Sequence, residues 1–498
     1  MTYKYLFAYT IILSIAVFLI ISCGERISLT IHGDLKGFIA LEDDEIYDYS
    51  GIVVELYKTV KLDTTIVRLN LKYPLIGVKI SQETEFDHRF HDPVGYTTTN
   101  ANGFFEFKKI PAGTIYNLVA YKGDWGILYE YDISIIEGEN FVSSISEPLK
   151  IYQEITVDSH IYDELVLDSN KHYIFESDTI FHPGSHLVIK PGTVIRIKPL
   201  AAVSIYGSLT VDSEPGKYFK VTSNDSFYNR SNDIGHYSHI TVMNSATVTN
   251  NEISNGIFSY GMNSLIIRVN EINVNNSTFS GRNSGLTFEQ VEGISVINSI
   301  FRNTILDTQQ TLYLSYVVMG YVDKSILINN STGITLMNST NVEISNSYFG
   351  QNDVTGIQNW YDSDNLVRNS IFVNGPVGII NRARSYLDAK YSIFETSIGV
   401  YNKVMQLHSA YTTQNYNNFN CSVYAVKTDV YFNPHGGIRN LDATYNYWGT
   451  TNREEIEQLI WDRNDENEGH PYYNWLLGVY DFEPFLNRPY AGAGIQLD

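Results

Sequence analysis

The sequence predicts an all-β protein: a right-handed parallel β-helix with three-sided coils of about 22–26 residues, preceded by a small β-sandwich. Three observations predict it. First, a four-residue pattern recurs as Asn276-Ser-Thr-Phe279, Asn298-Ser-Ile-Phe301, Lys324-Ser-Ile-Leu327, Asn346-Ser-Tyr-Phe349, Asn369-Ser-Ile-Phe372 and Tyr391-Ser-Ile-Phe394. Its last positions step by 22, 26, 22, 23 and 22 residues, the mark of a solenoid in which each repeat is one turn. Second, the residues between the marks are short β-type runs separated by Asn, Ser and Gly, with no helical period. Third, Asn rises from 6 in residues 23–220 to 34 in residues 221–450, so two architectures share the chain. Right-handedness follows from the general preference of parallel crossovers.

Residues 1–22 carry one charge, Lys4, and then an apolar run from Tyr5 to Ile21. Alone, this run reads as a signal segment or an uncleaved anchor. Ile20-Ile21-Ser22-Cys23-Gly24 resembles a bacterial lipobox. The resemblance implies removal of residues 1–22, lipidation of Cys23, and an extracytoplasmic protein tethered to the bacterial envelope, at the outer membrane or cell surface. Contact with the membrane is then through lipid only. Cys421 is left as a lone thiol, expected to act as a small core hydrophobe.

Residues 23–147 read as short alternating strands, among them Gly51–Tyr57 and Thr97–Phe107. The second holds Asn102-Gly103, a tight-turn signal. Ile110-Pro-Ala-Gly113 then turns into the strand Thr114–Ala120. This order resembles carboxypeptidase regulatory-like (transthyretin-like) β-sandwich domains. That implies a stalk or spacer and says little about activity.

Residues 148–450 carry the coils. A second mark follows each Phe: Gly285-Leu, Gly333-Ile, Gly356-Ile, Gly378-Ile and Gly399-Val. Alternation then sends the third residue after Gly inward: Phe288, Leu336, Asn359, Asn381 and Asn402. Asn359, Asn381 and Asn402 are expected to hydrogen-bond from coil to coil. Asn276, Asn298, Asn346 and Asn369 of the first mark are expected to form a second such ladder. Pro191–Lys198 and Val203–Val211 resemble the opening coils of bacterial right-handed parallel β-helix proteins of the pectate-lyase-like kind. Tyr445-Asn-Tyr-Trp-Gly-Thr450 resembles their N-x-W-G-T closing signature. In residues 451–498, Thr451-Asn-Arg-Glu454 fits a capping box opening a short helix through Trp461, which would cover the last coil's strand edges. The family mixes lyases, hydrolases and non-enzymatic surface proteins, so the resemblance speaks for fold and not for activity.

The net charge of −21 over 498 residues argues against nucleic-acid binding, which draws on clustered cations. Two cysteines cannot make a disulfide framework or a cysteine-rich metal site. A uronan-cleaving β-helix of this family would pair Asp residues on adjacent coils or cluster them beside a basic residue. The one Asp-Asp step, Asp43-Asp44, lies before the coils. Outward, the fourth residue after Gly forms the column Glu289, Met337, Trp360, Arg382, Lys403. Arg384 follows two residues on, and Tyr401 lies in the neighbouring column. An aromatic platform beside cations suits a sugar ring and its carboxylate or sulfate. The same residues also fit a solvated sheet face covered by long side chains. The expected function is non-catalytic binding of a polysaccharide or cell-surface component. The alternatives are a polysaccharide lyase or hydrolase in which Arg382 is the base, and an architectural envelope protein. No cofactor is expected. Calcium is the ion for which a loop is available, Asp462, Asn464, Glu466 and Glu468 alternating oxygen ligands. Asp87-His88-Arg-Phe-His91-Asp92 is a weaker candidate, for zinc, and His182-Pro-Gly-Ser-His186 spans a turn and reads as incidental.

Overall fold

The computed structural model describes residues 31–43, 45–169, 171–214, 216–224, 236–281, 284–304, 311–404, 411–430, 441–462, 464–465 and 479–496. Two units emerge: residues 31–59, 92–122 and 128–151 form the first; residues 60–91, 123–127 and 152–496 form the second. Cys23 and the lipobox lie outside the described residues. Among those described, no helix is long and apolar enough to cross a membrane.

The first unit holds two small sheets. Strands β1 (His32–Leu41), β2 (Val53–Lys58), β3 (Gly95–Thr98), β4 (Phe104–Pro111), β5 (Ile115–Tyr121), β6 (Leu128–Ser134) and β7 (Gly138–Phe141) pair as β3-β2-β5-β6 and β4-β1-β7. Leu35, Ile39, Val54, Leu56, Phe105, Phe107 and Leu118 alternate inward and are buried. The turn at Asn102-Gly103 is present, with Gly103 at φ +77°, where a Cβ would collide with the Ile39 carbonyl oxygen. It joins β3 and β4, which pair in different sheets, so it turns a corner between sheets and does not close a hairpin.

The second unit is a parallel β-solenoid of about ten turns. One side is a 13-stranded sheet, the next a 12-stranded sheet, and the third divides into a 4-stranded and an 8-stranded sheet. Three sides per turn is the geometry the repeat length predicts. The recurring Phe is the core: Phe258, Phe279 and Phe301 stack at 4.8 and 4.9 Å. Phe349, Phe372, Phe394 and Phe419 continue at 4.7, 4.8 and 5.0 Å, and Trp448 closes the series 5.2 Å above Phe419. The Gly mark has a steric cause. A Cβ on Gly356, Gly378 or Gly399 would stand 2.7, 2.8 or 2.9 Å from the ring of Phe372, Phe394 or Phe419 on the next coil.

The interior polar ladder of the first mark falls on a different residue from the one expected. Asn276, Asn298, Asn346 and Asn369 have φ between +45° and +50°. They turn the corner, a left-handed conformation that Asn tolerates better than most residues. The following serine points inward. Ser277 N–H donates to Ser299 Oγ, Ser299 to Ser325, Ser325 to Ser347, Ser347 to Ser370 and Ser370 to Ser392, at 3.2–3.3 Å. Asn417 and Asn446 continue the ladder at 2.9 and 2.8 Å. The corner Asn side chains bond elsewhere, Asn346 to Asp323 and Asn369 to the Gly492 carbonyl.

Residues 60–91 lie on the outer face of the 12-stranded sheet. Helix α1 (Thr64–Lys72), capped by Asp63, buries Ile66 and Leu69. With Ile76, Val78 and Ile80 they cover Ile300, Ile326, Ile328 and Tyr348. Behind them, α2 (Gln82–Glu85) sets Glu85 in a two-pronged ion pair with Arg302, both side chains about a tenth exposed. Ile495 of the C-terminal segment joins the same apolar cluster. The closing helix, α3 (Arg453–Gln458), is capped by Asn452 rather than Thr451, because the Asn452 side chain accepts from Glu454 N–H. It ends before Trp461: Ile460–Trp461 return to the 13-stranded sheet as a strand.

Candidate functional site

The outward column lies on consecutive strands of the 13-stranded sheet: Thr355–Trp360, Val377–Arg382, Ile398–Val404, Tyr424–Val430 and Ile460–Trp461. Register places Met337 beside Trp360, Arg382 beside Lys403, and Tyr401 beside Lys427, which neighbours Trp461. Inward on the same strands, Asn359 Nδ2 donates to Asn381 and Asn381 to Asn402, at 2.9 and 3.3 Å, and Asn365 of the neighbouring 8-stranded sheet donates to Asn359 at 2.9 Å. Asn402 donates on to Tyr480 Oη at 2.7 Å, and Thr428 Oγ1 reaches the same oxygen at 3.0 Å. This buried amide chain links the coils of Asn359, Asn381 and Asn402 directly beneath the outward column, and Asn359 and Asn381 also donate to the Tyr386 and Ser385 carbonyls, so the register is held by side chain and backbone together.

On the outer face, cations alternate with rings. The Arg382 guanidinium carbon lies 5.2 Å from the Trp360 ring centroid. Lys403 Nζ lies 4.7 Å from the Tyr401 ring. Lys427 Nζ lies among three rings, 5.2 Å from Tyr401, 5.9 Å from Tyr424 and 5.7 Å from Trp461. Trp360 also stacks on Tyr361, at 5.0 Å and 11°. Its ring surface is therefore engaged within the strip and is not the bare platform the sequence reading supposes. Against desolvated rings such cation contacts are worth about 0.5–2 kcal/mol each, and they hold long, otherwise mobile side chains in fixed positions.

Arg384 does not share this face. The strand ends at Arg382, and Ala383 and Arg384 turn the corner at φ +39° and +58°. Arg384 then pairs with Asp362 at 2.9 Å. The coil of Tyr424 and Lys427 lacks the Gly mark, and Trp461 lies on the strand beyond it, so the repeat pattern does not single these residues out. Ala425 stands where Gly399 stands one turn below. Aligning Ala425 with the glycines would have placed Lys427 in the outward column of Tyr401.

The calcium loop is reorganised at its described end. Asp462 is 3% exposed, and its two carboxylate oxygens accept the Asn464 and Tyr480 backbone N–H groups at 2.8 and 2.9 Å. It serves as a turn clamp. Glu466 and Glu468 lie outside the described residues. Among the described residues no group of three His, Cys, Asp or Glu side chains is placed to hold a metal ion. Asp87 is bound by Arg89 at 2.7 Å, and His91 stacks on Phe86. His182 faces His160 at 3.0 Å, and His186 bonds Glu164 at 3.0 Å, so the two histidines of that turn point to different partners. Cys421 packs against the core, and burial pushes its thiol up to about 11, well away from a reactive thiolate.

No family model matches the chain, and no curated protein matches it. Among solved structures, the chain is similar at 15% identity to a chain of a type II cohesin–X–dockerin complex, an N-terminal interface mutant from Acetivibrio cellulolyticus. That likeness covers 24% of this chain and 58% of the other, with a TM-score of 0.16. It carries neither fold nor function to this protein.

Proposed function

We propose that the protein is an exported bacterial lipoprotein, anchored through Cys23, whose β-helix binds an anionic glycan or other acidic surface component without transforming it. The reading of residues 23–147 as a regulatory-like spacer belongs to the same proposal, on the strength of Thr97–Phe107 and Ile110–Ala120, although residues 60–91 fall in the second unit. One observation carries the binding reading: Arg382, Lys403 and Lys427 stand on successive coils, each against an aromatic ring. Arg382 and Lys403 share one outward column at the coil spacing of about 4.8 Å, and Lys427 stands in the adjoining column one coil on, so the strip gathers three cations in a chain whose net charge is −21. Guanidinium and ammonium groups held by rings are suited to carboxylates or sulfates. Ligand charge, more than the stacking of a sugar face, would then decide affinity.

Affinity electrophoresis through gels containing an acidic polysaccharide (polygalacturonate or a sulfated glycan) or a neutral one tests this. The wild type should be retarded by an acidic gel and released by salt. The triple variant Arg382→Ala, Lys403→Ala, Lys427→Ala should run as it does in a plain gel. Equal retardation of both proteins on every glycan that retains the wild type would refute the strip as the site.

A further inference from the structure

On the third side of the solenoid, one coil departs from its neighbours. Around the strand Val318–Asp323, the side chains of Tyr316, Val318, Met319 and Tyr321 are exposed by 51%, 44%, 47% and 57%. Tyr316 and Met319 also have left-handed backbone, φ +54° and +62°. In register with them, the adjoining coils place Gln290 and Gly293 on one side and Asn338 and Asn341 on the other, all with positive φ. Gly and Asn accept that conformation readily; bulky Tyr and Met do not. At the Met319 position this coil therefore puts a large apolar side chain where its neighbours put Gly293 and Asn341, and at the corner it puts Tyr316 between Gln290 and Asn338; both side chains stand about half exposed. Tyr and Met are, however, enriched at the centres of protein interfaces.

The surroundings define the chemistry of what would cover it. Glu292 is in register with Val318, Glu271 follows on the next coil, and Asp364 lies beyond Thr340; all three are exposed. The nearby cations are matched by carboxylates, Arg368 by Glu343 and Lys324 by Asp323. We infer that this patch docks a protein partner whose contacting face has an apolar centre flanked by Lys and Arg. A second copy of the chain is the poorer occupant, because it would set carboxylates against carboxylates.

Two measurements decide it. Met319→Asn and Tyr316→Asn should each raise the melting temperature of the full chain, by about 1–2 °C, because Asn relieves the left-handed strain. No rise from either would remove the argument that stability is given up here. Calorimetric titration should show a synthetic amphipathic Leu/Lys helix binding the wild type, at least tenfold more weakly to Met319→Asn, Tyr321→Ser, and a Leu/Glu helix with the same apolar face not binding. Absence of Leu/Lys binding, equal binding of the two peptides, or unchanged affinity in the variant would overturn the proposal. So would sedimentation showing a dimer that the same variant abolishes, which would assign the patch to a second copy.

Discussion

Replacing Phe372 separates two views of the ring stack, as one shared core or as a series of local contacts. Phe372 is 1% exposed and stacks on Phe349 and Phe394 at 4.7 and 4.8 Å. Truncation of such a side chain to alanine costs about 3–5 kcal/mol, from lost burial and the cavity left behind. The repeat supplies its own control, since Leu327 occupies this position between Phe301 and Phe349 and is fully buried. Phe372→Leu keeps most of the apolar volume and forfeits two stacking contacts of about 0.5–1.5 kcal/mol each. It should therefore cost about 1–3 kcal/mol. Because each coil touches only its neighbours, the loss should also be local. Urea unfolding of Phe372→Ala and Phe372→Leu gives the magnitudes, and hydrogen exchange gives the location. Protection should fall in the coils of Phe349 and Phe394 and persist around Phe258 and Phe279. Equal destabilisation by Ala and Leu, or uniform loss of protection over all coils, would refute the stacked nearest-neighbour account.

Two further predictions concern buried ionisable residues of the 12-stranded sheet. Arg302→Leu strands the buried Glu85 carboxylate and should cost about 3–5 kcal/mol, whereas adding Glu85→Leu should recover most of it; a double-mutant cycle by urea titration checks this, and additive losses would argue against a buried pair. Burial, reinforced by the Lys220 charge, pushes His172 down to about 4, from about 6.5 in an unfolded chain. The unfolded state then takes the proton first, so the His172 contribution is fully present above about pH 6.5 and is lost as pH falls toward 4, up to about 3 kcal/mol. Melting curves of wild type and His172→Gln across that window should diverge at the high end and converge at the low end; parallel curves would sink the reading.

The coils were legible because a solenoid writes its period into the sequence. Phe and Gly recur for reasons that are local and steric: the ring stacks on its counterpart one turn away, and a Cβ on the glycine would collide with that ring. The polar ladder was misplaced by one residue because Asn and Ser recur together, and either could hydrogen-bond along the axis. Only the left-handed φ at Asn276, Asn298, Asn346 and Asn369 shows that the Asn turns the corner and the Ser faces the core. Residues 60–91 were illegible for a different reason. Ile66, Leu69, Ile76, Val78 and Ile80 read as ordinary core residues wherever they lie, and nothing in their spacing says which surface they bury. The matching clue was in the coils, where Ile300, Ile326 and Ile371 stand at positions that alternation sends outward, so an apolar exterior column required a cover.

The candidate strip shows how the same residues support a different chemistry once neighbours are known. As a column of types, Trp360, Arg382 and Lys403 read as a sugar-stacking platform with charges beside it. In three dimensions Arg382 lies over Trp360, and Lys403 and Lys427 lie over Tyr401. A ring that holds a cation offers less surface to a sugar, and a cation that rests on a ring has fewer conformations to lose when an anion arrives. The entropy of ordering a lysine or arginine, about 1.5–2 kcal/mol when fully paid on binding, is then partly met in the free protein. On the proposed function, such a strip would gain affinity with each anionic group that spans successive coils and would gain little from a neutral ring. Ligand charge density is accordingly the variable to change first, and an absence of retardation by neutral glycans would be as informative as retardation by acidic ones.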